Sequence, residues 1–392
     1  MRRLLEEGLR RLWLGETGPG GTVVSAALLP LELAYTAGIS VRNRLYDLGI
    51  LSSTLVELPV VSIGNVVVGG AGKTPVSGWI ARMLADQGRS PAILTRGYGD
   101  DEVALHRRWN PDIPVLVDPD RVRGAMAARE RGARLVILDD GFQHRRLRRS
   151  LDIVLHPAED PGRSHLLPRG PHREPLKGLA RADHLIITRR IASPADAIEV
   201  EERLSDSFPH LPVARIHLKA AGWTDLEGVD TDPPTGPLLA VTAIARPRSF
   251  ARLAERAADA PVELMSFPDH HTFSRKEEEE IRTRALGRTV VTTEKDAARL
   301  AGSAHPFGES ARVLRLAVVP ETGMEELERA LDAATAGATA SGGPTVESAD
   351  PSIEADPDSS RADPASAGRS APPAPPGELR RGLDASSGGD AS

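Results

Sequence analysis

The chain has 392 residues, of which 40% are hydrophobic and only 3% aromatic, with a formal net charge of −6. That length allows two or three domains, and the low aromatic content leaves core packing mainly to Leu, Val, Ile and Ala. Cysteine is absent, which excludes disulfides, thiolate zinc sites and cysteine nucleophiles.

From Ser341 onward nine acidic residues face four arginines, so the tail carries most of the net charge and the body is near neutral. Charge therefore singles out neither a nucleic-acid binder nor an enzyme for acidic substrates. At the N-terminus, Glu6, Glu7 and Glu16 stand where a secretory leader needs an apolar core, so no cleaved signal peptide is expected. Residues 23–41 are the most apolar run, but Pro30, Glu32 and Ser40 interrupt it, and it is not read as a transmembrane span. Leu28, Leu29, Leu31, Leu33, Ala34 and Tyr35, followed by Arg42 and Arg44, fit an amphipathic helix in a membrane interface. They fit a helix packed on the domain equally well.

Apolar runs at residues 59–63, 91–94, 114–117, 135–138, 151–155 and 184–188 are predicted strands, with helices at 75–87 and 122–131 between them. Fully apolar strands separated by helices imply a parallel sheet covered on both faces. Further strands are predicted at 213–218, 238–244, 262–265 and 289–293, and helices at 248–258 and 274–286. The fold class is thus α/β, a P-loop NTPase-like parallel sheet flanked by helices with a second, smaller α/β lobe. The core is placed at 58–190, a connecting region at 191–236 and the second lobe at 237–334. Residues 335–392, rich in Ala, Ser, Gly, Pro and Asp, are expected to be a disordered low-complexity tail.

The first predicted strand leads into Gly69-Gly70-Ala71-Gly72-Lys73-Thr74 and then a helix. Glycines let successive backbone N–H groups converge on phosphate oxygens, and the helix N-terminus adds its dipole. Lys73 would reach the β- and γ-phosphates and the Thr74 hydroxyl would ligate Mg²⁺. Val67 stands where the usual pattern has its first glycine, so Gly69 and Gly70 supply the flexibility. The strand at 135–138 ends in Asp139-Asp140, and acids at the end of a strand adjacent to a phosphate loop can hold Mg²⁺.

The residues that follow carry a resemblance. Asp139 to Arg149 reads DDGFQHRRLRR and resembles the DDGFQHR signature of the tetraacyldisaccharide 4′-kinases of lipid A synthesis. Ser62-Ile63-Gly64-Asn65 leading into the glycine loop and Pro75, Thr95-Arg96-Gly97-Tyr98-Gly99, and Leu167-Pro168-Arg169-Gly170-Pro171 with Arg173-Glu174-Pro175-Leu176 are similar to further blocks of that family. So are Phe267-Pro268-Asp269-His270-His271 and Thr293-Glu294-Lys295-Asp296, and the likeness spans roughly residues 24–330.

The resemblance implies transfer of the ATP γ-phosphoryl group, with Mg²⁺, to the 4′-hydroxyl of an acylated glucosamine disaccharide 1-phosphate, giving lipid IV-A. It implies a peripheral or monotopic protein at the cytoplasmic face of the bacterial inner membrane, with residues 1–57 as a helical membrane-interface segment. Neither a nucleic acid nor a protein partner is inferred. By the same resemblance Asp101 is the base, assisted by His270, and Lys73 acts on the phosphates. Gly69, Gly70, Ala71, Gly72, Lys73 and Thr74 bind nucleotide, and Glu102 joins Thr74, Asp139 and Asp140 around Mg²⁺. Gln143, His144, Arg121 and Arg173 are the substrate-binding candidates. The sequence departs from the family in reading Asp101-Glu102-Val103 where the family has a proline third, and in placing this motif directly after the preceding block. Asp100 is therefore the alternative base.

Arg145, Arg146, Arg148 and Arg149 read either as a solvated face or as a phosphate-binding cluster. Glu277, Glu278, Glu279 and Glu280 read as a solvated helix face, and the histidine spacings suggest no zinc site. The order Lys295-Asp296 differs from the Asn-Lys-x-Asp run that reads guanine, so GTP is not inferred. The glycine loop and acidic strand alone would also allow a regulatory or metallochaperone-type NTPase. A degenerate family member that only binds lipid is the third possibility.

Overall fold

A computed structural model of the chain describes residues 8–9, 11–13, 17–97, 100–160, 165–269, 271, 273–300, 307 and 310–336. The chain separates into two units, Met1–Gly342 and Gly343–Ser392. The second unit lies outside the described residues, as does nearly all of the segment expected to be a disordered tail.

The helix Gly18–Asp47 (α1) is 30 residues long and continues through Pro30. The interruptions that argue against a continuous apolar segment in the sequence are accommodated locally. Glu32 is 8% exposed and turns inward, where its carboxylate accepts from Leu166 N at 2.8 Å and from Arg169 Nη1 at 3.2 Å. Gly20–Asp47 is long and apolar enough to cross a membrane by length and composition alone. Ser25, Glu32, Asn43 and Tyr46 follow one another at intervals of seven, eleven and three residues, which places them on one helix face. That face docks on the domain through Arg169–Ser25, Asn43–Glu174 and the Arg145 guanidinium over the Tyr46 ring. Val23, Leu29, Leu31, Leu33 and Val41 point outward.

The core alternates strand and helix. Val60–Asn65 (β1) leads to Lys73–Asp86 (α2), Pro91–Thr95 (β2) to Asp100–Trp109 (α3), and Val115–Val117 (β3) to Arg121–Glu130 (α4); Leu135–Asp139 (β4), Leu151–Pro157 (β5) and His184–Arg189 (β6) follow. Every residue of β1, β2, β4 and β5 is buried, as expected of a sheet covered on both faces. In α2, Val76, Ile80 and Leu84 recur at helical spacing and enter the same cluster as Ile63, Ile137 and Ile153 of the sheet. The sequence reading assigned no element to α3. Its signal is one of charge, with Asp100, Asp101 and Glu102 in the first turn and His106, Arg107 and Arg108 in the last, matching the helix dipole at both ends.

The second half comprises Pro194–Ser207 (α5), Val213–Thr224 (β7), Asp230–Thr231 (β8), Leu238–Thr242 (β9), Pro247–Ala258 (α6), Val262–Ser266 (β10), Arg275–Arg284 (α7), Thr289–Thr293 (β11), Glu294–Leu300 (α8), Arg312–Thr322 (β12) and Met324–Thr335 (α9). Its strands continue the sheet of the first half. The order is β10-β9-β11-β12-β7-β6-β5-β1-β4-β2-β3, with β8 on β7. All neighbours on that path are parallel except β7 and β12, which run antiparallel. Two parallel blocks are therefore joined by one long antiparallel seam. The region read from sequence as a connector, 191–236, contains α5 and the seam strand β7.

Two core histidines give the fold a pH dependence. His156 on β5 and His184 on β6 are buried, and neither ring nitrogen of either has a hydrogen-bond partner among the described residues. Burial pushes both down to about 4, from an ordinary value near 6.5. The unfolded chain then takes up protons below pH 6.5 that the native state refuses until about pH 4, so stability falls as pH falls through that window. The slope is about 1.4 kcal/mol per pH unit for each histidine. Thermal melts between pH 7 and 4 are expected to show this loss, and His184→Leu to flatten it; an unchanged slope in the variant would exclude His184 as a source.

Candidate active site

At the C-terminal end of β1 the chain turns through Gly69, Gly70 and Gly72, all at positive φ (+68°, +69° and +87°), and enters α2. Gly72 is fixed by more than its backbone angle, because a Cβ there would lie 2.5 Å from Leu218 Cδ1 on β7. The carbonyls of the loop are tied from behind. Thr188 Oγ1 donates to Ala71 O at 3.0 Å, and Arg190 Nη1 donates to Gly70 O at 2.5 Å. Engaging the carbonyls leaves the loop's N–H groups as its free polarity, which is what an anion cradle requires. Arg190 is held near the loop by Glu159, whose carboxylate accepts from the backbone N–H groups of Arg190, Ile191 and Ala192. Burial pulls the Arg190 guanidinium down to about 10, against the raising effect of Glu159. Sequence reasoning missed Arg190, since nothing near it has the spacing of a motif.

Lys73, the first residue of α2, has its Nζ 3.3 Å from Asn65 Oδ1 and 3.4 Å from Asp140 Oδ1. Asp139 and Asp140 are neighbours in sequence but face different surroundings. Asp139 ends β4 and is buried; its Oδ1 accepts from Ser77 Oγ at 3.1 Å, and its Oδ2 lies 3.0 Å from His106 Nε2. Asp140 adopts φ +57°, a left-handed conformation that a non-glycine residue takes only when its surroundings impose it. Its carboxylate meets Arg173 Nη1 at 2.9 and 3.0 Å. Burial alone would raise this carboxyl, but Lys73 and Arg173 outweigh that effect and hold it at about 2. Arg173 Nη1 also donates to Gln143 Oε1 at 3.3 Å, and Gln143 Nε2 donates to Asn65 O at 2.7 Å. One chain of polar contacts thus links β1, the lysine, the acidic strand end and the residues after it.

These groups line a cleft of about 730 Å³. The phosphate loop, Thr74, Glu102, Arg121, Asp139, Asp140, Gln143 and Arg173 form its core side. Arg246, Asp269, Thr293 and Lys295 of the second half face them, and Tyr35 and Arg42 of α1 close one end. Two α1 side chains grip the site directly: Tyr35 OH donates to Arg173 O at 2.9 Å and Arg42 Nη2 to Gln143 O at 2.7 Å. Arg121 is buried and donates to Asp118 O and, at 3.4 Å, to Asp139 O. Its guanidinium is drawn down to about 10 by burial, opposed by Asp139 and Asp140.

Some candidates lie elsewhere. Asp101 is 1% exposed and is not among the residues that line the cleft. Its Oδ1 accepts from Glu102 N at 2.9 Å, and its Oδ2 lies 3.5 Å from Arg299 Nε and 3.9 Å from Lys295 Nζ. Glu102 does face the cleft, 3.3 Å from Lys295 Nζ; burial and then the nearby Asp139 charge raise its carboxyl, and Lys295 opposes the shift. His144 sits behind the cleft wall, its Nε2 without a hydrogen-bond partner among the described residues. Burial, then Arg121 and Arg149, lower it to about 4. His270 and the side chain of Asp100 are outside the described residues. The arginine run is largely spent on internal pairs, Arg145 with Asp47, Arg146 with Asp120 and Arg149 with Asp152.

Among the described residues no group of three or more His, Asp or Glu side chains forms a ready metal cage. Asp139, Asp140, Glu102 and the Thr74 hydroxyl nevertheless fit Mg²⁺. That ion needs only one or two protein carboxylates, with phosphate oxygens and water completing an octahedron.

The strand, the glycine loop and the lysine-threonine pair that opens α2, with two acids ending a neighbouring strand, define a P-loop nucleotide site. A family profile described as tetraacyldisaccharide-1-P 4′-kinase matches residues 24–112 and 99–336. The chain is 38% identical over 367 residues to the tetraacyldisaccharide 4′-kinase of Anaeromyxobacter sp. (strain K), covering 84% of this chain and 96% of that one. It is 36% identical to the enzyme of the same name from Syntrophus aciditrophicus, covering 76% of this chain and 90% of the relative. Among solved structures, LpxK from Aquifex aeolicus in complex with ATP aligns with a TM-score of 0.61 at 27% identity, over 80% of this chain and 99% of that one. The chain belongs to the tetraacyldisaccharide-1-P 4′-kinase family.

Gly72→Ala tests the cradle. A side chain at φ +87° costs about 1–2 kcal/mol of backbone strain before the clash with Leu218 is counted. ATP affinity by titration calorimetry is expected to fall about tenfold or more. Wild-type affinity in the variant would mean that the loop does not carry the phosphates.

Proposed function

We propose that the cleft performs the family's transfer with the residues described above, in an ATP-dependent kinase that acts on a tetraacylated disaccharide 1-phosphate. The loop N–H groups hold the triphosphate, and Lys73 neutralises charge on the β- and γ-phosphates. Asp139 and Asp140, with Thr74 and Glu102, hold Mg²⁺. The ion supplies charge stabilisation on the transferred group and orients it. The 4′-hydroxyl oxygen of the sugar forms a bond to the γ-phosphorus as the bond to the β–γ bridging oxygen breaks, and ADP departs. The hydroxyl proton passes to a carboxylate on the first turn of α3.

By resemblance that carboxylate is Asp101, oriented by His270. Its pairing with Arg299 and Lys295 means that it must exchange those partners to reach the substrate. The specific observation favouring Glu102 as a second reading is that its carboxylate already faces the cleft. Gln143, Arg121 and Arg173 are proposed to meet the acceptor, with His144 bracing the loop. The observation that supports the reading is the polar chain from Lys73 through Asp140 to Arg173 and Gln143, which joins the candidate donor-side and acceptor-side residues.

The membrane setting is also proposed, at the cytoplasmic face, where ATP is available. It is supported by α1, whose outward Leu29, Leu31 and Leu33 are 40%, 57% and 60% exposed while its opposite face is bound to the site-bearing loops. An acylated acceptor has to be drawn from a bilayer, and an apolar face on the helix that grips Arg173 and Gln143 supports a site at that surface.

Purified protein given labelled ATP, Mg²⁺ and the disaccharide 1-phosphate in detergent micelles is expected to label the lipid at the 4′ position. Nucleotide binding without lipid labelling would overturn the reading. Asp101→Asn is expected to lower kcat about 10²–10⁴-fold. If Asp101→Asn turns over normally while Glu102→Gln lowers kcat without raising the Mg²⁺ needed for half-maximal turnover, Glu102 is the base rather than a metal ligand. Replacing Leu31 and Leu33 together by Asp is expected to release the protein from phospholipid vesicles in a sedimentation assay, and undiminished binding would remove α1 from the membrane contact.

A further inference from the structure

Nothing in the kinase reading calls for a histidine at position 106. His106 lies on α3, four residues after Glu102, and is fully buried. Its Nε2 is 3.0 Å from Asp139 Oδ2, while Ser77 Oγ holds the other oxygen at 3.1 Å. A carboxylate only accepts, so this contact is a hydrogen bond when Nε2 carries the ring proton. Nδ1 is left buried with no hydrogen-bond partner among the described residues. It faces Gly78 of α2, where an added Cβ would stand 3.4 Å from it and 3.3 Å from Asn110 Nδ2. Trp109 closes the ring from the side, edge-on at 6.2 Å. An aliphatic side chain of similar size would fill this space without stranding a nitrogen, so packing alone does not account for an imidazole here.

We infer that His106 is a positioning residue for Asp139. Together with Ser77 it saturates both oxygens of that carboxylate from the protein side and fixes its plane. Because it rides on the helix that begins with Asp101 and Glu102, it also pegs that helix to the end of β4. One hydrogen bond then joins the two acidic elements directly. This inference rests on the reading of Asp139 as a carboxylate that serves Mg²⁺. Partners of a metal-binding group that touch no metal themselves are commonly worth about 10–100-fold in metal affinity or activity.

Three substitutions separate geometry from bulk. In His106→Gln the amide nitrogen takes the place of Nε2; in His106→Asn it falls at the level of Nδ1 and cannot reach Asp139; His106→Leu keeps volume alone. Kinase turnover is followed as Mg²⁺ is titrated at saturating ATP, and ATP binding is measured separately in EDTA. Asn and Leu are expected to raise the Mg²⁺ needed for half-maximal turnover about tenfold or more, with Gln restored to within about threefold of wild type. Metal-free ATP affinity is expected to stay unchanged in all three. Wild-type Mg²⁺ dependence in Asn and Leu, or a Gln variant as impaired as Asn, would overturn the inference. Should the Leu protein fail to fold, the comparison of Gln with Asn still decides. Asp139→Asn serves as the control. If it is impaired while the His106 variants are not, only this inference falls; if its own Mg²⁺ dependence is normal, the assignment of Asp139 falls and the inference with it.

Discussion

Two adjacent carboxylates at one strand end are the constraint around which the rest of the site is arranged. Asp139 and Asp140 would repel each other if both faced the same surroundings at close range. The left-handed turn at Asp140 gives the two carboxylates different partners within the one cleft. Ser77 of α2 and His106 of α3 hold Asp139, and two cations, Lys73 and Arg173, hold Asp140. Each partner brings its own element with it. The phosphate loop, the helix with the proposed base, and the loop after β5 that carries Arg173 are therefore all referenced to the same two residues.

The segment after the acidic strand transmits this arrangement to α1. Arg173 and Gln143 face the cleft with their side chains, and their backbone carbonyls accept from Tyr35 and Arg42 of the helix. The internal pairing of Arg145 with Asp47 strengthens the same seam. The arginine run that reads in sequence as a candidate phosphate patch thus spends much of its charge on fixing α1 and the strand-end loop. Exposed charge runs and internal ion pairs look alike in sequence; only their partners tell them apart.

Much of the fold was legible because its parallel strands are short, wholly apolar runs bounded by turns, and a period of that kind has few other readings. The phosphate loop was legible for a related reason, since converging N–H groups need glycine and the helix behind them needs lysine and threonine at fixed places. Three things were not legible. Helix α3 has no apolar stripe strong enough to announce it; its signal lies in the charges at its two ends. Arg190 lines the same cleft and acts on the loop through a backbone carbonyl, so no local spacing marks it. Glu32 breaks an apolar run on paper, but its partners at Leu166 and Arg169 are more than 130 residues away in the chain, so its inward turn is a tertiary fact.

The antiparallel pairing of β7 with β12 has a mechanical consequence. The two parallel blocks are bonded along strands of 12 and 11 residues, and the ladder slips register twice, between Arg315 and Leu316 and between Pro320 and Thr322. A connection of that kind does not behave as a flexible tether between rigid bodies. Its stiffness is that of a twisted ribbon, and its softest points are the two irregularities. Leu218, the β7 side chain seated against Gly72, pairs with Val318 between those irregularities. A twist of the ribbon there would move a side chain that packs against the phosphate loop.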